Sequence, residues 1–216
     1  MNAQVISISR NFPLPHAPWQ IVSGAQRRLE ADREIYLQDE EADEVFLLVS
    51  GVVRTTRLDR DGRRQIGGFY YPGDVFGLES GDLHRYSAEA LTECEVLAVR
   101  RSSLRRGGDG VADVERAIWD GTIRELERTQ EHLLLLGRKT ACEKVAAFLS
   151  DLAARSGQEI TDLPMGRQDM ADYLGLTIET VSRMISQLQS EGVVEFLGCR
   201  RFRLRNAVGL RRLAAA

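Results

Sequence analysis

The chain of 216 residues is short of the groups that staple small proteins or hold metals: it has three cysteines (Cys94, Cys142, Cys199) and three histidines (His16, His84, His132). The cysteines lie far apart, form no CxxC pair and are odd in number, which argues against a disulfide framework or a structural zinc site. The expected setting is therefore the reduced cytoplasm. No apolar run approaches the roughly 20 residues of a membrane span. The longest candidates, Val45–Val49 and Gly51–Val53, are strand-sized, so no membrane partner is expected. The N-terminus places its first charge, Arg10, after a short apolar stretch rather than before it, unlike a secretory signal. No Ser-His-Asp constellation or glycine-rich phosphate loop occurs. Neither an enzyme nor a bound cofactor is expected.

The composition that remains, 43% hydrophobic and 28% charged, is that of a globular protein. Its length corresponds to about one and a half domains of roughly 150 residues. The net charge of −3 conceals an asymmetry. Residues 1–137 hold 17 basic against 23 acidic side chains, and residues 138–216 hold 12 against 9. Six arginines fall within the last 17 positions: Arg200, Arg201, Arg203, Arg205, Arg211 and Arg212. A basic tail behind an acidic front suits nucleic-acid binding, although such a run can equally be a solvated face.

Residues 1–20, with Pro13, Pro15 and Pro18, read as an arm leading to a short helix near Ser23–Glu30. Residues 21–108 read as a β-barrel. Short apolar stretches are cut by turns at Ser50-Gly51, Asp61-Gly62 and Pro72-Gly73-Asp74, a spacing that suits an antiparallel barrel or jelly roll. Only His84 falls in this segment, so a multi-histidine metal site of the jelly-roll enzyme kind cannot be assembled there.

Over residues 109–137 the period changes. Trp119, Ile123, Leu126, Gln130, Leu133 and Gly137 recur at heptad-like spacing, with no proline to interrupt them. The helix would be about 40 Å long. Its apolar seam fits either a core helix on the barrel or a coiled coil between two copies of the chain, and such a helix can do both.

Residues 138–216 carry the most specific signal. One helical pattern ends near Ser156-Gly157, and a short strand is expected at Ile160–Leu163. Two helices follow, Arg167–Leu174 and Ile178–Glu191, joined by Gly175-Leu176-Thr177, and then a hairpin of Val193–Leu197 and Arg201–Leu204 turning at Gly198-Cys199. Thr177 suits an N-cap, though Thr180 stands where a reciprocal capping box would place Glu. Two helices about a glycine turn form a helix-turn-helix, whose second helix enters the major groove by its N-terminal residues; the hairpin makes it winged.

Ile178, Glu179, Ser182 and Arg183 share one face at that N-terminal end. Arginine can donate twice to guanine, glutamate can accept from cytosine, and an aliphatic chain can rest on a thymine methyl. The bland alternative is an ordinary Glu179–Arg183 surface pair. Arg167, Thr177, Thr180, Arg200, Arg201 and Arg203 are the candidates for phosphate contacts. In the hairpin, Arg201 and Arg203 alternate with Phe202 and Leu204, so the arginines are expected to face outward.

The stretch LGLTIETVSR, the barrel with its glycine spacing and the long connecting helix together resemble the Crp/Fnr family of bacterial transcription regulators, over nearly the whole chain. The ETVSR signature is similar to that of the FixK group. The resemblance implies an α+β fold: a double-stranded β-helix (jelly-roll) barrel of cyclic-nucleotide-binding type, a dimerisation helix, and a winged helix-turn-helix. It implies a homodimer that reads a TTGA-N6-TCAA palindrome in double-stranded DNA through Glu179, Ser182 and Arg183. It further implies contact with RNA polymerase and control of microaerobic or anaerobic respiration, denitrification or nitrogen-fixation genes. The cyclic-AMP branch typically has arginine where Ile178 stands and glycine where Ser182 stands.

The same resemblance bears on sensing. With no cysteine before Cys94 the chain cannot form a four-thiolate iron–sulfur cluster. Cyclic nucleotide binding requires a glutamate for the ribose and an arginine directly before a serine, yet Tyr86 separates Arg85 from Ser87 and Glu79 is displaced by one. Nothing pairs the histidines for haem, and a surface position is the ordinary expectation for His84 and His132. The group is regarded as acting without an effector; the alternative is a barrel that binds a cyclic nucleotide, haem or aromatic ligand. Cys199, at the expected wing tip, is the candidate for oxidation.

Overall fold

The computed structural model describes Trp19, Val22 and residues 25–215. Apart from Trp19, the expected arm over residues 1–20 lies outside the described residues. The chain forms two compact units that divide between Arg128 and Thr129.

The first unit is built on eight strands: β1 (Ala25–Leu29), β2 (Glu34–Tyr36), β3 (Glu44–Ser50), β4 (Val53–Leu58), β5 (Arg64–Tyr70), β6 (Val75–Phe76), β7 (Ser87–Ala90) and β8 (Cys94–Arg100). They form two antiparallel four-stranded sheets, ordered β1-β8-β3-β6 and β2-β7-β4-β5. Because side chains alternate along a strand, β3 and β8 each feed two cores. Phe46, Leu48, Val96 and Ala98 pack inside the barrel. Val45, Leu47, Leu97 and Val99 pack on the other face with Trp19 and Val114. Burial on both faces is why these strands read as near-continuous apolar runs.

One expectation is corrected here. The segment taken for a helix near Ser23–Glu30 contains a strand, Ala25–Leu29, paired with β8 from Ala25↔Ala98 to Leu29↔Cys94. Its local sequence, AQRRL, suits a helix; the edge of a sheet some 70 residues away decides otherwise. Arg27 then reaches Glu44 at 2.7 Å.

After β8 come α1 (Arg101–Arg106) and the long helix α2 (Val111–Arg138). At Gly121 a Cβ would lie 3.0 Å from Cβ of Val75, so glycine is what allows α2 to lie this close to the sheet.

The second unit continues from the last turns of α2 into α3 (Ala141–Ser156), β9 (Ile160–Asp162), α4 (Arg167–Leu174), α5 (Ile178–Ser190), β10 (Val194–Phe196), β11 (Arg201–Leu204) and α6 (Ala207–Ala215). Thr140 caps α3: its hydroxyl accepts from the Glu143 amide at 3.4 Å, and the Glu143 carboxylate accepts from the Thr140 amide at 2.8 Å. The sheet order is β10-β11-β9, all antiparallel. Val145, Leu149, Met170, Leu174, Val181, Ile185 and Phe202 are fully buried in this unit.

Candidate nucleic-acid interface

Helices α4 and α5 meet through Met170, Ala171 and Leu174 on one side and Val181, Ile185 and Leu188 on the other, all fully buried. The Asp169 carboxylate accepts the Gly166 amide at 3.2 Å and closes the start of α4. At the other end Gly175 adopts φ +62, the left-handed conformation that ends a helix at least cost to glycine. Thr177 then caps α5, its hydroxyl accepting from the Thr180 amide at 3.3 Å, with the two threonine hydroxyls 3.1 Å apart. This is a helix-turn-helix with a defined entry to its second helix.

The apolar stripe of α5 is turned inward, so the opposite face is presented. Ile178, Glu179 and Arg183 are exposed and Ser182 is half-buried. Arg167, from the start of α4, reaches across and donates to the Ser182 hydroxyl at 3.1 Å. The Glu179 carboxyl is held below the usual carboxylate range by its own amide at the helix N-terminus and by the Thr177 hydroxyl. Arg183 has no hydrogen-bond or ion-pair partner among the described residues, so the Glu179–Arg183 surface pair is not formed. A free guanidinium beside an ionised carboxylate gives this face both a forked donor and an acceptor.

The hairpin treats its arginines unequally. Phe202 is fully buried, its ring 5.6 Å from that of Phe196. Arg201 is exposed and unpartnered among the described residues. Arg203, expected to face freely outward, instead meets Glu195 at 2.7 Å and Glu159 at 3.8 Å. Arg205 shares Glu195 at 2.5 Å, and hydrogen bonds from Arg203 and then Arg205 lower the Glu195 pKa. Arg200 donates to the Pro164 carbonyl at 2.7 Å. Cys199 is exposed between β10 and β11.

Along α2 the seam residues stand clear of the protein. Trp119 is 66% exposed and Leu133 70%, and Ile123, Leu126 and Gln130 are exposed as well. Other positions of the same helix bind the barrel. Val114 is buried, the Tyr70 hydroxyl donates to Glu125 at 3.2 Å, and Arg128 grips Asp74 with bonds of 2.9 and 2.5 Å. Burial raises the Glu125 pKa against the opposing pull of Arg128. The helix is thus a barrel-packing helix that also keeps an unpartnered apolar row.

Inside the barrel the space between the sheets is occupied by rings. Tyr36 stacks on Phe46 at 5.6 Å and on His84 at 3.6 Å, and Phe76 lies 5.2 Å from Phe46 and 5.5 Å from Tyr70. Glu79 and Arg85, the two side chains weighed for a ribose and a phosphate, pair with each other at 2.8 Å. Cys94 is buried, its thiol donating to the Val52 carbonyl at 3.3 Å, and burial pushes its pKa up.

Two histidines depart from the surface positions expected of them. His84 is buried, and His132 is half-buried against Tyr173, ring on ring at 4.0 Å. Desolvation lowers the pKa of both below the ordinary value. Sequence reasoning also passed over Lys144, which is buried and donates to the Leu174 carbonyl at 3.3 Å. A signal existed: Lys144, Phe148 and Leu152 are spaced by four, so a cation stands in the apolar stripe of α3.

Two family models match the chain: a cyclic nucleotide-binding domain over residues 26–107 and a Crp-like helix-turn-helix domain over residues 143–213. The nitrogen fixation regulation protein FixK of Azorhizobium caulinodans is 48% identical over 207 residues, covering 91% of this chain and 82% of its own length. The transcriptional activator protein FnrL of Cereibacter sphaeroides is 35% identical, covering 81% and 74% respectively. Among solved structures, FixK2 from Bradyrhizobium japonicum superposes with a TM-score of 0.81 at 48% identity, covering 89% of this chain and 98% of that one.

Proposed function

The chain belongs to the Crp/Fnr family, in its FixK group, and is a DNA-binding transcription regulator rather than an enzyme; from that premise we propose that it acts as a homodimer on a TTGA-N6-TCAA palindrome. In this reading residues 21–108 are a sensor-like barrel, 109–137 the dimerisation helix and 138–216 the reading head. The seam of Trp119, Ile123, Leu126, Gln130 and Leu133 closes the dimer. Each copy then presents Ile178, Glu179, Ser182 and Arg183 to one half-site. Arg167, Thr177, Thr180, Arg200, Arg201 and Arg203 lie toward the phosphates, with Arg201 the most available of the arginines.

The observation that carries the reading is the unpartnered Arg183 beside the ionised Glu179 at the first turn of α5. In a surface helix these two would neutralise each other at i, i+4. Leaving them apart keeps a donor fork for guanine and an acceptor for cytosine.

The proposed regulator works in the cytoplasm, activates transcription through contact with RNA polymerase, and serves microaerobic or anaerobic respiration, denitrification or nitrogen fixation. It needs no small effector, because aromatic rings fill the barrel and Arg85 is neutralised by Glu79. Oxidation of the exposed Cys199 is the one covalent input the reading admits.

Fluorescence anisotropy of the purified full chain, without added ligand, tests this on a TTGA-N6-TCAA duplex and a scrambled duplex at one stated salt concentration. Preference for the palindrome with two chains per duplex is expected. Equal binding to both duplexes overturns the proposal.

A further inference from the structure

The C-terminal end of α4 exposes carbonyls that have no partner within the helix, as every helix end does. Gly175 and Leu176 return their amides to the Ala171 carbonyl, the latter at 3.0 Å. The next two carbonyls in need are taken by side chains from other elements. His132 Nε2 lies 2.8 Å from the Tyr173 carbonyl, and Lys144 Nζ donates to the Leu174 carbonyl at 3.3 Å. A carbonyl only accepts, so His132 must carry its proton on Nε2. The imidazole also lies parallel to the Tyr173 ring at an interplanar angle of 10°, and the ring of Phe148 from α3 stands 5.8 Å from Tyr173. On the next residue, a Cβ built at Gly175 would meet Leu136 at 3.6 Å.

The end of α4 is therefore held from two sides, by His132 and Leu136 of α2 and by Lys144 and Phe148 of α3. The place that is held matters. Thr177, the cap of α5, follows Leu174 by three residues, so little chain separates the grip from the reading helix. On the other side, His132 sits between Gln130 and Leu133, two residues of the exposed seam. A single path of covalent and hydrogen-bonded neighbours joins the seam to the reading helix, and all of it lies within one compact unit.

We propose that His132 and Lys144 are positioning residues that fix the reading helix relative to the last turns of α2 and thereby set the separation at which the dimer accepts two half-sites. The inference rests on the palindrome-reading homodimer proposed above. The two cationic side chains are suited to the task because a helix C-terminus carries partial negative charge, which favours donors of this kind. They touch no base or phosphate. Their contribution is geometric, so their loss should relax spacing without erasing the ability to read a half-site.

The full-length chain and three variants, His132→Leu, His132→Gln and Lys144→Met, are compared by anisotropy on TTGA and TCAA half-sites separated by five, six or seven base pairs. A further duplex has one half-site scrambled. The unmodified chain is expected to favour the six-base-pair spacer by about tenfold or more. In His132→Leu and Lys144→Met the three spacers should fall within about twofold of one another, while scrambling a half-site still weakens binding. His132→Gln, whose amide can donate to the same carbonyl, should recover most of the spacer preference.

If the unmodified chain shows no spacer preference, the palindromic dimer fails and the positioning role fails with it. If the unmodified chain has the preference and both His132→Leu and Lys144→Met keep it, the positioning role alone is overturned. It is likewise overturned if the variants lose half-site discrimination together with thermal stability, since the two side chains would then only support the fold.

Discussion

In the barrel, Arg54 meets Glu89 at 2.8 Å, Arg128 holds Asp74 through two bonds and Arg85 faces Glu79 at 2.8 Å. In the reading head, Arg183 and Arg201 stand exposed with no partner among the described residues. The difference is not one of composition, since both regions are arginine-rich. In the barrel a guanidinium serves as a tie between elements, and its charge is spent within the protein. In the head, ties and free groups coexist on one hairpin: Arg203 is bound to Glu195 while Arg201, two residues earlier on the same strand, is not. Charge available to an outside partner is thus found by subtracting what the fold already uses, and a count of basic residues overstates it.

That contrast can be attacked at both ends. The largest effect is expected in the barrel interior, where Phe46→Ala should cost about 3–5 kcal/mol of stability, read by urea unfolding. Its preference between palindrome and scrambled duplex should be unchanged under conditions where it is folded; a changed preference would mean the barrel is not merely a packed scaffold. In the head, Arg183→Ala should leave the unfolding midpoint in place. It should lower discrimination by about 1–3 kcal/mol per half-site, measured by anisotropy.

A finer division separates Arg201 from Arg203. Arg201→Ala should weaken binding to both duplexes alike and reduce the slope of log affinity against log salt by about one. Arg203→Ala should change the slope less, because its charge is already matched by Glu195 and Glu159. Equal slopes for the two variants would erase the distinction between tied and free arginines.

The smallest expected effect is a pH dependence, and both regions contribute to it. Burial lowers the pKa of His84 and of His132, the latter with help from Lys144. At His84 the charges of Glu79, Glu40 and Asp43 oppose that shift, and Arg101 adds to it. An unfolded chain takes up a proton at each near the ordinary pKa of about 6.5, whereas the folded chain resists until lower pH. Stability should therefore be full above about pH 6.5 and fall as the pH drops through and below that value. Thermal melting between pH 7.5 and 5.5 checks the sign, and His132→Gln should flatten part of the slope.

The elements of the head were legible because their signals are local. The glycine turn, the Thr177 cap and the 3.6-residue stripe of Val181, Ile185 and Leu188 all lie within a dozen residues. The strand Ala25–Leu29 was misread because only its pairing with β8 makes it a strand. Helix α6 was passed over because Arg205, Arg211 and Arg212 drew the eye as surface charge. Its start is nevertheless marked by Asn206, whose side chain accepts the Gly209 amide at 2.8 Å. Among the site residues, exposure of Glu179 and Arg183 follows from periodicity, whereas the retreat of Arg203 depends on Glu159, far away in sequence and invisible to a local pattern. His132 and Lys144 fall in the same class: their partners are main-chain carbonyls, which leave no trace in a sequence.

Gly121 carries a consequence for genetics. It touches no seam residue's partner and no base, yet any larger side chain there must push Val75 aside or lift α2 from the sheet. A saturation screen scored only on promoter output would place Gly121 among the sensitive positions, beside Arg183. A second screen scored on cellular abundance would separate them, with Gly121 variants depleted in both and Arg183 variants in the first alone.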